Sequence, residues 1–536
     1  MCMKNLNKWL ASALLVFASL PGAMSQQPYK CEGCSDLATR PVVNLSTLAD
    51  ANGNLLNNNT YLGCDKLYKL DIKLYVNNGQ TLVIAPGTVI KALPSDATGF
   101  NSKALIVSRG GKLYAEGSEC CPIIFTADAD NLDGTYPIHT KEQWGGVIIL
   151  GKAHNNIQAG EFNPENPAFP SGYGNGIAWI EGLAAADLRN LYGASLDNGE
   201  VFNNNDNSGV IKYVSIRHGG SEIGTANEIN GLTLGSVGNG TILRNIEVIS
   251  NGDDGIEFFG GTVDLKYAKI LYCEDDYIDY DQGYTGRLQY ILGVQRPARA
   301  SVAALGDNGF ECDGDDTGAA PRRTRSHYSD PMISNATILG NDATTGDVAL
   351  ELKEFTKGKF YNSIFSKFAT GIKFNNASED FVDIKSCTFV KMTTNISGTA
   401  PVGYNPLDAA KNNAFLNVSP NDTLVGMTNS EKWITNFDPI PAASAVKMGE
   451  VTDVNAIDPW FDVVTFRGAY NPSAEAWWSM KSCNGSRGIQ GDKESTASSA
   501  FKVTTDNNND GITDGVDLGR IIGNYNKTND KAPIKD

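Results

Sequence analysis

Residues 22 apart in the middle of this chain repeat one another. Asn251-Gly252-Asp253-Asp254-Gly255-Ile256-Glu257-Phe258 falls on Cys273-Glu274-Asp275-Asp276-Tyr277-Ile278-Asp279-Tyr280, and Glu247-Val248-Ile249 falls on Lys269-Ile270-Leu271. After a longer interval Gly306-Asp307-Asn308-Gly309-Phe310-Glu311-Cys312 returns the pattern, and Thr370-Gly371-Ile372-Lys373-Phe374 is a fainter copy. Each unit holds short β-rich runs, such as Tyr213-Val214-Ser215-Ile216 and Val348-Ala349-Leu350-Glu351-Leu352, divided by Gly, Asn and Asp. A rung this short cannot bury its inner face alone. Stacked rungs can, each strand pairing in parallel with the next about 4.8 Å away. The expected fold is all-β, a right-handed parallel β-helix solenoid. Alternate residues fill the coil, and Gly and Asn take the left-handed corners.

The same texture runs through Leu82–Lys91, Ala104–Ala115, Ile123–Phe125 and Trp144–Leu150. We expect a Cys-containing N-terminal cap over 26–64, the coil over 65–480, a Gly/Ser-rich linker over 481–505 and a small calcium-loop and helix segment over 506–530. Residues 155–205, rich in Pro, Asn and Gly, read as loops projecting from one flank. Residues 295–330 are a second excursion, whose Arg322-Arg323-Thr324-Arg325 reads as a solvated loop. Residues 400–460 are expected to cap or cover the far end.

Charge and cysteine content narrow the function classes. With 61 Asp+Glu against 44 Lys+Arg the formal charge is −17, so no global field attracts nucleic acid or an anionic bilayer. Lys4 and Lys8 precede an apolar run from Trp9 to Leu20, followed by small residues around Ala23 and Ser25. That is an export signal over residues 1–25, too short for the ~20 residues a membrane-spanning helix needs. No later stretch is long and apolar enough to span, so the expected location is extracellular or cell-surface. Nine cysteines remain after the signal: Cys31, Cys34, Cys64, Cys120, Cys121, Cys273, Cys312, Cys387 and Cys483. Export permits disulfides, and an odd count leaves at least one thiol unpaired or shared between chains. Cys31-Glu32-Gly33-Cys34 lacks a following His for haem, and four scattered His make no zinc cluster, so disulfides are favoured over metal.

Stacking turns the repeat into chemistry. Asp253 should neighbour Asp275, Asp254 should neighbour Asp276 and Glu257 should neighbour Asp279, with Asp307 and Glu311 continuing the file. Two carboxylates ~4.8 Å apart repel by about 3.5 kcal/mol at an effective dielectric near 20. Such a file needs a cation, a shared proton or open water. Three readings stand: corner side chains bonding backbone N–H groups; a Ca²⁺ site formed by Asp253, Asp275, Glu257, Asp307 and Glu311; or catalysis by Asp254, Asp276 and Asp279, whose one-rung spacing approaches the ~5 Å of retaining glycoside hydrolysis. Tyr277, Tyr280, Tyr284, Tyr290, Phe258 and Phe259 gather nearby and suit either sugar stacking or packing inside the coil.

The segments PGTVIKA, ALIVSRGGKLYAEG, WGGVIILGKA, GVIKYVSIRHGG, NGDDGIEFFGGT and WFDVVTFRGAYNPSAEAWW resemble a family of exported bacterial pectate-lyase-like β-helix proteins over roughly residues 65–480. The resemblance implies the fold rather than an activity. Gly252-Asp253-Asp254-Gly255-Ile256 also looks like the aspartate motif of polygalacturonases. Those enzymes place Gly-His-Gly and Arg-x-Lys on later rungs, whereas here Arg217-His218-Gly219-Gly220 precedes the aspartates. Pectate lyases use Ca²⁺ with an Arg or Lys base. Arg217, Arg244 and Arg287 lie in the right region, and nothing in the sequence selects among them. His218 reads as a turn or packing residue.

Asp506-Asn507-Asn508-Asn509-Asp510-Gly511-Ile512-Thr513-Asp514-Gly515-Val516-Asp517 has the oxygen pattern of a twelve-residue Ca²⁺ loop. Asp506, Asn508, Asp510 and Asp517 would ligate by side chain, Ile512 by its carbonyl, and Asp514 directly or through water. The segment resembles a dockerin type I repeat, and only one such repeat is visible. The leading functional expectation is a surface or matrix protein that binds a glycan or a cell-surface protein, its C-terminal segment available for docking. The alternatives are a secreted polysaccharide lyase or hydrolase, and a filament or array subunit.

Overall fold

A computed structural model describes residues 31 and 33–471, apart from 96–101, 133–135, 159–173, 181–182, 185, 222–227, 297–303, 316–327, 343–344, 377–381 and 418–449. The export segment, Cys483, the basic run at 322–325 and the calcium loop at 506–517 therefore lie outside the described residues.

The offset of the sequence repeat is the register of the coil. Ile256 pairs with Ile278, Glu257 with Asp279 and Phe258 with Tyr280, all in parallel. Ile278 then pairs with Phe310, across a longer connection. Ten such strands, from Lys73–Val76 through Ile256–Phe259 to Thr394–Gly398, form one parallel sheet, called here the front sheet. The remaining parallel strands form one larger sheet, which includes Val42–Asn44 paired with Leu67–Leu70, so the stacking extends N-terminal to residue 65. The chain is a right-handed parallel β-helix.

Strand alternation fills the coil. Ile256, Phe258, Ile278, Tyr280, Phe310 and Cys312 point inward and are completely buried. In-register aromatics stack along the axis, with Phe365, Phe389 and Phe415 at centroid separations of 5.1 and 4.7 Å. Full burial of one such ring stabilises the coil by about 1.5–3 kcal/mol. The large sheet bends where one residue per rung turns left-handed: Tyr213, Asn245, Tyr267, Tyr290, Asn335 and Asn362, with φ between 49° and 65°. Gly and Asn were expected at left-handed corners, yet Tyr takes three of these six, and Ser250, His218 and Lys367 take others elsewhere in the coil.

Two excursions differ from expectation. The described part of 155–205 is not a projecting loop. It includes an antiparallel pair, Ile177–Trp179 with Leu191–Gly193. Its Ala178, Ile180, Leu183 and Tyr192 pack on Ile106, Ile148, Leu150 and Phe259, the outward side chains at the N-terminal end of the front sheet. Apolar residues on that outer face demand a cover. Gly235 is the accommodation, since a Cβ there would sit 2.6 Å from Tyr192 Cγ. Within the span 400–460, Ala414–Leu416 adds the last strand on Thr388–Val390, and Tyr404 and Phe415 pack on the core at the far end, as expected. Residues 450–471 instead run along the flank of the large sheet. Asn362 exchanges hydrogen bonds with Thr452, Lys266 reaches Trp460 and Asp462, and Asn335 donates to the Phe466 and Gly468 carbonyls.

Disulfides Cys31–Cys121 and Cys34–Cys64 fasten the N-terminal segment to the first rungs. Cys273, Cys312 and Cys387 are free thiols inside the coil.

Candidate functional site

The alternation that sends Ile256 and Phe258 inward sends Glu257 outward, and the register repeats it. One outward column of the front sheet reads Thr233, Glu257, Asp279, Glu311, Glu351, Lys373. The acidic file expected from the repeat is therefore real, and it is longer than expected. Glu351 and Lys353 escape a reading of the repeat because the step of 40 residues from Glu311 to Glu351 puts them out of step with its offset, while Lys373 lies one offset beyond Glu351.

Asp254 and Asp276 stand at the corner before these strands, and each ties one rung to the next. Asp254 Oδ1 accepts the Asp276 N–H at 2.9 Å, and Asp276 Oδ1 accepts the Asn308 N–H at 2.6 Å. Asp347 does the same for Ala369 at 2.8 Å. This is a structural duty, and it matches the corner-bonding alternative. An Asp276→Asn variant keeps the acceptor and should melt in denaturant near wild type, whereas Asp276→Ala should lose about 1–3 kcal/mol, the cost of leaving the Asn308 N–H buried without a partner. Equal losses in the two variants would show that charge, not the hydrogen bond, is what the corner uses.

Electrostatics divide the file in two. Toward its C-terminal end, Lys353 pairs with Glu311 and lies 3.3 Å from Asp313, while Lys373 lies 2.7 Å from Glu351. Toward its N-terminal end the acids crowd one another. Burial pushes the Asp254 carboxyl well above the ordinary range, and Asp253, Asp276, Asp279 and Glu257 push it further. Asp276 is raised by burial and then by Asp275. Asp279 is raised by burial, Asp276 and Asp281, against the pull of Lys353 and a hydrogen bond shared with Glu257.

Three groups bring their carboxylate oxygens within 4.8 Å of one another: Asp253, Asp254 and Asp275; Asp254, Glu257 and Asp279; and Asp275, Asp276 and Asp307. The second group is the best built for a cation. Asp279 Oδ1 is buried without a hydrogen-bond partner. Thr233, fully buried and in register with Glu257, has an unpartnered hydroxyl. Asn230 donates its amide to Glu257 while its own oxygen is buried and unpartnered. Carboxylate, hydroxyl and amide oxygens with no nitrogen or sulfur form the donor set of a hard cation.

Other expected participants lie elsewhere. Arg217, Arg244 and Arg287 belong to strands of the large sheet: Arg217 is buried beside Ser215 and Glu247, and Arg287 is held by Asp264 and Asp458. His218 is a buried corner residue whose Nδ1 meets the Thr140 carbonyl at 2.5 Å. Sugar stacking by the nearby aromatics is overturned. Tyr277, Tyr280, Tyr284 and Phe258 are completely buried, Phe259 and Tyr290 nearly so. Phe258 stacks on Tyr284 at 4.4 Å inside the coil.

A model of the pectate-lyase-like beta helix domain matches residues 53–437. No curated protein matches the chain. Solved structures similar to it at low identity include the following three. Pectate lyase Pel9A is 14% identical, over 74% of this chain and 88% of that one, with a TM-score of 0.34. The A-module of the mannuronan C-5 epimerase AlgE4 of Azotobacter vinelandii is 11% identical, over 70% and 96%, with a TM-score of 0.27. A family 28 exopolygalacturonase of Yersinia enterocolitica is 11% identical, over 71% and 79%, with a TM-score of 0.18.

Proposed function

The chain belongs to the pectate-lyase-like β-helix domain family, and from that premise we propose that it is an extracellular protein that holds an acidic polysaccharide through a calcium ion seated between Asp254, Glu257 and Asp279. The observation that carries this reading is the buried, unpartnered oxygen of Asp279 beside two further carboxylates that share its space. Calcium suits the site because it accepts six to eight oxygens in irregular geometry. Asp254, Glu257 and Asp279 would hold the ion, whose positive charge would attract the uronate carboxylates of the polymer. The chain's own residues do the rest. Thr233 and Asn230 bound the site, the corner bonds of Asp254 and Asp276 fix its rungs, and Lys353 and Lys373 neutralise the acids beyond it.

Two disulfides in the N-terminal segment suit an extracellular setting. Among the described residues no helix is long and apolar enough to cross a membrane. The loop at 506–517 would serve as a calcium-stabilised attachment segment.

A cleaving rather than holding role is the second reading. It is favoured by Lys353, whose charge acts on Asp279 from the next column. A lysine that abstracts a proton beside a uronate carboxylate must reach the sugar, whereas the Lys353 ammonium is engaged by Glu311 and Asp313. One experiment addresses both readings. Polygalacturonate is titrated into the full chain with calcium or with chelator, for wild type and Glu257→Gln, while unsaturated-uronate absorbance is followed. A gain in affinity on adding calcium, lost in Glu257→Gln and with the absorbance flat, is the expected result. Calcium-dependent binding untouched by Glu257→Gln would remove the site, and rising absorbance would establish the lyase.

A further inference from the structure

We propose that the flank of the large sheet carries a second, metal-independent surface for an anionic polysaccharide, a ladder of cations and tyrosines centred on Arg244. The register places Lys212, Arg244 and Lys266 on three successive rungs. They point outward, because the preceding residues Ile211, Leu243 and Leu265 are buried in the coil. Three cations thus stand in a row parallel to the axis, one per ~4.8 Å rung. Like charges so placed repel, and a linear polyanion laid along the coil relieves that repulsion.

The tyrosines give the row a second chemistry. Tyr213 and Tyr267 each follow a cation of the ladder at the left-handed corner, with φ of 49° and 65°. Of the equivalent corners, three hold Asn245, Asn335 and Asn362, residues that tolerate this conformation, and one holds Tyr290, which follows Gln289 and stacks on Tyr267. A bulky aromatic there is strained, and the corner itself does not require one. The rings lie beside the cations: Lys212 Nζ is 5.7 Å from the centre of the Tyr213 ring, and Arg244 Cζ is 4.9 Å from that of Tyr267. Arg244 is exposed and Lys212 half-buried. While Tyr267 is stacked on Tyr290 at 4.8 Å, Tyr213 offers a half-buried ring beside Lys212 for a sugar that carries a carboxylate.

The surroundings delimit the surface. At one end Glu116 is in register with Lys212, and Glu119 acts on Tyr213. At the other end Lys266 is tied to Asp462 at 2.8 Å, with the Trp460 ring 4.6 Å away. Between them Arg244 is exposed, and its described contact is the Tyr267 ring rather than a carboxylate. A chain with a formal charge of −17 repels a polymer as densely charged as nucleic acid. A polysaccharide with one carboxylate per sugar meets the local row with less opposition, which selects it over nucleic acid.

This inference does not rest on the calcium site, which lies on the front sheet. The test uses polygalacturonate titrated into the full chain in chelator, so that the front sheet is silent. Wild type should bind, more weakly as salt rises. Lys212→Ala with Arg244→Ala should reduce affinity at least tenfold and lower the slope of log K against log salt by about one per cation removed. Tyr213→Asn, which installs the residue used at sister corners, should weaken binding while leaving the melting temperature unchanged or raised. Glu257→Gln should have no effect under these conditions. Absence of binding in chelator, equal affinity in the Lys212/Arg244 variant, or undiminished binding of fully methyl-esterified polymer would each overturn the proposal. Tighter binding of single-stranded DNA than of polygalacturonate would overturn the choice of partner.

Discussion

Asp279→Asn is expected to raise the stability of the calcium-free protein at pH 8 and to erase the stabilisation that calcium gives the wild type. A mutation that removes a charged group from a protein surface usually does neither. The expectation follows from register. Glu257, Asp279 and Glu311 occupy successive rungs of one column, and Asp254 leans into the same space. At ~4.8 Å and an effective dielectric near 20, one ionised pair costs about 3.5 kcal/mol, less with partial solvation. An asparagine amide removes one charge and can donate to Glu257. Calcium stabilises the wild type by mass action, about 2.7 kcal/mol at a hundred times its Kd, and the variant lacks the ligand that fixes it.

The pH dependence has a definite sign. Asp254, Asp276 and Asp279 are held above their ordinary value by burial and by neighbouring acids, and burial brings Asp347 to about 6. A carboxyl raised on folding favours the folded state fully below its unfolded value, here 3.8, and that advantage is lost as pH rises through the folded value. Melting in chelator should therefore fall as pH rises from the unfolded value of 3.8 through the Asp347 value of about 6 and on through the still raised Asp254, Asp276 and Asp279, and calcium should restore it at the alkaline end. Calorimetric scans of wild type and variant across that range provide the measurement. An Asp279→Asn protein less stable than wild type at pH 8 in chelator, or one that calcium still stabilises equally, would contradict the crowding argument.

The coil was legible because its determinants are local and periodic. The offset that sets Ile256 on Ile278 decided which strands pair, and alternation decided that Glu257 and Asp279 face outward together. The extent of the file was harder to read, because the steps from Asp279 to Glu311 and from Glu311 to Glu351 are unequal and both longer than the repeat. A usable signal did exist. In Ile256-Glu257-Phe258, Ile278-Asp279-Tyr280, Phe310-Glu311-Cys312, Leu350-Glu351-Leu352 and Ile372-Lys373-Phe374, a charged residue sits between two inward ones. Reading every such triplet, rather than only the Asp-rich ones, would have included Glu351 and the lysine that neutralises it. The aromatics were ambiguous for another reason. Tyr277 and Tyr284 lie just outside their strand, where alternation assigns no side. Tyr284 is set by the Phe258 ring and a 2.7 Å hydrogen bond to the Val263 carbonyl, and Tyr277 packs over Gly293. The packing of 155–205 had no periodic signal at all. Its anchor is a single ring, Tyr192, lying on a glycine remote in the chain, Gly235.

Arg467→Ala is expected to release residues 450–471 from the flank of the coil while most rungs stay folded. The Arg467 side chain is completely buried; its described hydrogen bonds go to carbonyl and hydroxyl oxygens, and the Glu450 carboxylate acts on its charge. Nη1 donates to the Cys387 carbonyl and Thr388 Oγ1 at 3.1 Å, Nη2 donates to the Asn412 and Glu450 carbonyls at 2.9 Å, and Nε donates to the Glu450 carbonyl at 3.2 Å. The guanidinium thus gathers the backbone of two successive rungs and the start of the strap into one hydrogen-bonded node. Deleting it leaves several carbonyls buried without donors, each costing about 1–3 kcal/mol if water does not enter, so a loss of about 3–5 kcal/mol is reasonable for the region. Lysine should not rescue it, because one ammonium cannot span acceptors arranged for a planar fork. The strap also carries Trp460, Asp458 and Asp462, which engage Lys266 and Arg287. Its release would expose the end of the Lys212–Arg244–Lys266 ladder and free Lys266 for an anionic partner. Hydrogen exchange by mass spectrometry should show protection lost across 450–471 and retained in the strands from Ile242–Ile249 to Arg287–Val294. Wild-type protection of 450–471 in Arg467→Ala would mean that the strap is held by its other contacts. Loss of protection throughout the coil would mean that the arginine supports the rungs themselves.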